Sequence, residues 1–301
     1  MTTIEVATRE GLHRFDERGS GLGAELEGRD VSSLAPAGEA RWAILDRREV
    51  WHEPGTGWQR VATLGNTTLT CICAVDDEVL VGTAEAHLLR VVDDDRLETV
   101  PAFDVVDGRE GWYTPWGGPP DTRSIANWDE DVYVNVHVGG IARSDDGGAT
   151  WTPTIDVDAD AHQVTTAQGL VIAACAGGVA TSRDRGATWE YRTRGLDTRY
   201  SRAVAVCGDV LLASASRGPR GGAAAVYRGV LEGAGFERCR EGVPETFEGN
   251  VDTYRLDALR LGPVAAFGTE DGRVFVSHDA GATWDLLAEG LDGLRRVLVL
   301  P

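Results

Sequence analysis

Two histidines sit in runs that otherwise read as strand. His137 alternates with Asn135 in VYVNVHV, so the two are expected on one strand face near a turn, and His162 opens a strand in DADAHQV. Imidazole titrates near neutral pH, so either ring can serve as a catalytic general base or ligate a metal. With Asp158, Asp160 or Asp252 the pair can hold a divalent ion, although the spacing matches no diagnostic metal motif and the metal stays unknown. The competing expectation is that each is a hydrogen-bonded packing residue. Arg123, Arg202 and Arg217 can clamp a carboxylate or phosphate with two parallel N–H groups, or act as structural counter-ions in an acidic chain. Trp112 and Trp116 can stack on a sugar or another planar ligand, or anchor their loop as an apolar cluster. Tyr200, Glu248 and Asp252 complete the expected ligand-binding set.

These residues need a scaffold, and the sequence repeats one. Segments 4–15, 41–53, 78–92, 131–144, 169–182, 209–229 and 262–277 each read as an apolar strand, a turn and a second strand. Further short strands precede and follow each segment, while helical periodicity is almost absent. Seven units in 301 residues average about 43 residues, the size of a propeller blade. The expected fold is all-β, a seven-bladed β-propeller of the WD40-like kind with four antiparallel strands per blade. The chain begins without the first strand of a blade and ends in the apolar RRVLVLP, so the C-terminal strand is expected to pair with the N-terminal blade and close the ring. One domain, 1–301, is expected, with blade cores roughly at 4–26 plus 294–301, 31–65, 69–103, 122–155, 162–193, 202–240 and 251–289.

Three copies of Ser-x-Asp-x-Gly-x-Thr-Trp mark this period. SDDGGATW begins at 144, SRDRGATW at 182 and SHDAGATW at 277, spacings of 38 and 95 residues. The motif resembles the Asp-box, or BNR repeat, of sialidases, sortilin-type receptors and photosystem assembly propellers. That resemblance implies a fold and not an activity. Ser144, Asp146, Gly148 and Trp151 form the first copy, and Ser182, Asp184, Gly186 and Trp189 the second. Ser277, Asp279, Gly281 and Trp284 form the third. A catalytic site is needed once, whereas a hairpin clasp is useful in every blade, so these twelve are read as structural.

In such a fold the Asp-box turns lie opposite the connections that surround the channel mouth. Three stretches on those connections break the period: 104–124, 214–222 and 240–254. They hold or neighbour every candidate above. The expected function is therefore binding of a small ligand or partner protein at that insertion-rich face. The alternative is a hydrolase or lyase, directed at a glycan or an anion, that uses the His and Arg residues there. The arginine clamp and N-terminal segment that sialidases require are not readable, which argues against that activity. No cofactor is certain; a divalent metal at the channel mouth is the one considered.

The net charge is −19, and all 29 basic residues are arginine. Such a chain repels nucleic acid and anionic membranes, and the acidity fits a halophilic or GC-rich source. No stretch approaches the roughly 20 apolar residues of a membrane span, so no membrane insertion is expected. The charged N-terminus lacks a secretory core, which predicts a cytoplasmic location. The five cysteines, scattered within apolar runs, are expected as reduced thiols without disulfides.

Overall fold

A computed structural model of the chain describes residues 1–93 and 96–301. Asp94 and Asp95, inside the expected third blade core, lie outside the described residues. The chain forms seven four-stranded antiparallel sheets, and the fold is a seven-bladed β-propeller. Blade one orders the C-terminal strand Arg296–Leu300 beside Thr3–Thr8, then Gly11–Asp16 and Gly21–Glu25. Blade two holds Val31–Ala37, Ala40–Leu45, Glu49–Glu53 and Gln59–Thr63; blade three holds Leu69–Val75, Glu78–Thr83, Leu88–Asp93 and Arg96–Thr99. Blade four holds Thr122–Trp128, Asp131–Val136, Gly140–Ser144 and Thr152–Ile155; blade five holds Ala161–Ala167, Leu170–Cys175, Gly178–Ser182 and Glu190–Arg192. Blade six holds Tyr200–Cys207, Val210–Ser216, Ala225–Val230 and Glu237–Arg238; blade seven holds Leu256–Ala258, Ala265–Gly268, Val274–Ser277 and Asp285–Ala288.

Closure is made as the termini require. Thr3–Thr8 pairs antiparallel with the C-terminal strand, Ile4 opposite Val299 and Val6 opposite Val297. All four side chains are buried, so the pairing hides an apolar row as well as two sheet edges.

Two compact units emerge from the contacts. One comprises Asp30–Val171 with Ser182–Trp189, and the other Met1–Arg29 with Ile172–Thr181 and Glu190–Pro301. In the first, the leading strands of blades two to five touch in succession. Ile44, Leu69, Ile72 and Val81 there form a core between blades two and three. In the second unit, Phe247, Phe267, Phe275 and Trp284 form the core of blades six and seven. The Trp284 ring meets Phe267 edge-on at 4.8 Å. Strands such as Asp131–Val136 are buried at every position because neighbouring sheets cover both faces, which is why they read as unbroken apolar runs.

The DTYRLDAL segment departs from its expected strand. Only Leu256–Ala258 is extended, because the Arg255 N–H bonds back to the Asp252 carbonyl at 2.9 Å and Tyr254 takes a left-handed φ of 63°. The first insertion contains two 3-10 turns, Phe103–Val105 and Arg109–Gly111. Among the described residues, no helix is long and apolar enough to cross a membrane.

Candidate functional site

The three Ser-x-Asp-x-Gly-x-Thr-Trp turns share one bonding scheme. In the first, the Ser144 hydroxyl donates to Asp146 Oδ1 (2.8 Å) and accepts from the Gly148 N–H (2.9 Å). Asp146 also accepts from the Thr150 N–H (2.9 Å) and hydroxyl (2.6 Å), and the Trp151 indole donates to the Gly148 carbonyl (3.2 Å). The turns at 182–189 and 277–284 repeat these bonds. The Thr150 hydroxyl and N–H, then the Ser144 hydroxyl, draw the Asp146 carboxyl down to about 2. Asp184 reaches about 2 for the same reason, and Asp279 is also lowered, against its partial burial. The Ser hydroxyl and Asp carboxylate of the motif are thus bonded within their own hairpin, while the Trp189 indole also donates to the Thr154 carbonyl of blade four (2.9 Å). Beside the first turn, an open cavity of about 310 Å³ is lined by Asp76, Glu78, Arg90, Asp146 and Trp151 among others.

The two histidines come together in the first unit. His137 lies one residue beyond Asp131–Val136, where its N–H donates to the Asp121 carbonyl (3.0 Å) and Val138 turns left-handed. His162 is the second residue of Ala161–Ala167 and is fully buried. Their rings lie 5.7 Å apart, centroid to centroid. Between them stands Asp160, which ends the 3-10 turn Val157–Ala159 in a left-handed conformation (φ 45°). Nε2 of His137 and Nε2 of His162 each lie 3.5 Å from Asp160 Oδ1. That oxygen is buried and accepts no hydrogen bond. On its other side, His137 Nδ1 lies 3.5 Å from Asp121 Oδ1.

Both carboxylates stay ionised. Burial pushes the Asp160 carboxyl up, but the approach of His162 and the charges of His162, His137 and Arg123 outweigh it and hold it below its ordinary value. Asp121 behaves alike: burial raises it, and His137 and the Arg123 guanidinium bring it down further. Arg123 sits at a register irregularity in Thr122–Trp128, and its charge acts on both acids.

The Trp-rich insertion covers this corner with one exposed ring. The Trp116 indole is two-thirds exposed (67%), and its centroid lies 5.2 Å from that of His137. Trp112 is held differently, under the Arg109 guanidinium at 4.7 Å and beside Phe103 at 6.0 Å. Arg109 in turn donates to the carbonyls of Ala86 (2.8 Å) and Glu85 (3.1 Å), so Trp112 anchors the loop. Asn135 is buried; its amide donates to the carbonyls of Ala161 (2.9 Å), Gly140 and Val136, and its oxygen accepts from Ser124. That network ties blade four to the residue preceding His162.

The remaining predicted residues belong to the second unit. Arg202 donates to Asp252 Oδ1 at 2.8 Å and stacks over Tyr200 at 5.4 Å. Burial lowers the Arg202 guanidinium, yet Asp252 reverses the sign and raises it. Arg217 and Glu248 are exposed, joined only through their loops, where the Gly222 N–H donates to the Glu248 carbonyl (2.7 Å) and the Arg217 N–H to Gly222 (2.9 Å). Asp121 is the site residue that sequence reasoning passed over. It lies in PPDTRS beside the flagged Arg123, and only the backbone pairing of residues 121 and 137 brings it to an imidazole.

No protein-family model matches the chain, and no curated protein matches it. Solved structures do. YCF48 bound to a D1 peptide is 12% identical, with a TM-score of 0.58 over 94% of this chain and 84% of that one. A nidogen/laminin complex is 10% identical, with a TM-score of 0.58 over 99% and 98%. An ancestral GH74 enzyme is 16% identical with a TM-score of 0.61, covering 90% of this chain and 38% of its own. At these identities the likeness establishes the propeller and nothing of its chemistry.

Proposed function

We propose that this Asp-box propeller is a binding module whose ligand seat is the corner of His137, Asp160, His162 and Trp116. The observation that carries it is Asp160 Oδ1, a buried charged oxygen that accepts no well-formed hydrogen bond and has only two imidazole Nε2 atoms at 3.5 Å, in a corner where an exposed indole meets His137. A buried acceptor left unpaired is costly unless something bound supplies the missing partner. A small ligand with one donor or cationic group for Asp160 and a planar face for Trp116 meets both needs. The positive charge of Arg123 near both acids would favour an anionic substituent of the same ligand, and the buried Asn135 braces the backbone at Ala161. Two of the three structural neighbours are complexes with a peptide or a protein, which supports a binding use of this architecture.

The alternative is a hydrolase or lyase. The Asp121–His137 pair has the order of an orienting acid behind a base, and that one observation favours it. Ligand-observed NMR with a fragment library tests the primary reading. Fragments bound by the wild type should be lost in Trp116→Ala and Asp160→Asn and kept in Arg217→Ala. A hit set unchanged by the first two substitutions would overturn it, and turnover of any hit would promote the alternative.

A further inference from the structure

We infer that His137, Asp160 and His162 hold one divalent transition-metal ion of the zinc class, forming the floor of the ligand seat. This inference rests on the seat proposed above and names what occupies its base. The donor atoms of the three side chains lie within 4.8 Å of one another, and both imidazole Nε2 atoms stand 3.5 Å from one carboxylate oxygen. A tetrahedral ion with bonds of about 2.0–2.1 Å keeps its ligand atoms about 3.3 Å apart, so an ion fits with small side-chain shifts. Two imidazoles and one carboxylate suit zinc, cobalt or nickel, whereas magnesium and calcium take oxygen ligands. Among the described residues, no other group of three such side chains gathers in this way.

The surroundings fit the same ion. At 3.5 Å the imidazoles are too distant for good hydrogen bonds to Asp160 Oδ1, and that oxygen has no other partner. Asp121 Oδ1 stands 3.5 Å from His137 Nδ1, and the same small side-chain shifts would close that distance to a hydrogen bond, by which a second carboxylate fixes the tautomer and leaves the Nε2 lone pair for a metal. Three protein ligands leave at least one coordination position. Trp116, over the His137 ring, stands where a ligand completing the coordination would stack. The rival arrangement is a metal-free triad in which two imidazoles share the Asp160 charge.

Titration of chelator-stripped, full-length protein with cobalt(II), followed by visible absorption and calorimetry, separates the two. One equivalent should bind, with the intense d–d bands of low coordination, and zinc should displace it. Asp160→Asn and His137→Gln should abolish that equivalent, and Asp121→Asn should weaken it by about 10- to 100-fold. His278→Ala should leave it intact. Absence of uptake by the wild type, or uptake that survives both ligand substitutions, overturns the site. If those variants fail to fold, X-ray absorption of the zinc-loaded wild type decides. A shell with two imidazoles and oxygen supports the assignment, and a sulfur-containing or all-oxygen shell refutes it. Fragment binding that depends on Trp116 without metal uptake would sink the metal and keep the seat; metal uptake with Trp116-independent fragments would do the reverse.

Discussion

Single side chains in this molecule divide by where their polar atoms point. The aspartates of the three repeated turns spend their oxygens on their own turn, and this sets their acid response. Asp146 and Asp184 fall from 3.8 to about 2 on folding. Their contribution is therefore complete above the ordinary carboxylate range and is lost as the pH falls from about 4 through about 2. Thermal melts across that window should show a decline that is smaller in Asp146→Asn, and an unchanged slope would remove the clasp from acid stability. Thiols behave oppositely: burial raises Cys71 to about 12, and Cys207 and Cys239 to about 11. None of the five cysteines is in a disulfide, and Cys73 alone is not buried. Native alkylation at pH 8 should label Cys73 first and spare the others until unfolding.

Elements carry stability through what lies between sheets. Trp284 is 2% exposed and packs on Phe267, so Trp284→Ala should cost about 3–5 kcal/mol in urea denaturation. Gly195 matters for a different reason. Its φ is +84°, and a Cβ there would collide with the Phe236 carbonyl, where Arg194 pairs in parallel with Gly235. Gly195→Ala should destabilise by at least about 1 kcal/mol, a loss that backbone strain and not lost contact explains. The C-terminal strand is the third element of this kind. Deleting residues 296–301 would uncover Ile4 and Val6 and a free sheet edge, and size-exclusion chromatography should then show association or aggregation.

At the scale of the whole molecule, charge dominates. With a net charge of −19, self-repulsion opposes compaction and is screened within about 10 Å at 0.1 M salt. The melting temperature should rise by several degrees between 0.05 and 1 M sodium chloride; a flat or falling response would show that local ion pairs such as Arg202–Asp252 outweigh the net field.

Strand count, blade number and the closing strand were legible in the chain because each follows from spacing: a period of about 43 residues and two orphan strand halves at the ends. His137, His162 and Trp116 were also legible as residues out of keeping with their runs. That the two histidines could share one carboxylate was readable too, with Asp158, Asp160 and Asp252 as the candidates; which of the three it is was not. Asp121 and Asp160 flank His137 from two different connections, and one follows a turn whose left-handed end no periodicity announces. Asn135 shows the same limit: its alternation with His137 put both on one face, but three carbonyl contacts turned the amide into a brace. Residue types and repeats determine which sheets form, since strand pairing within a blade is local in sequence and the one distant pairing, Thr3–Thr8 with Arg296–Leu300, joins the two strands left over. Which side chains share a carboxylate depends on how separate turns and strand ends approach one another, and only the tertiary structure decides that.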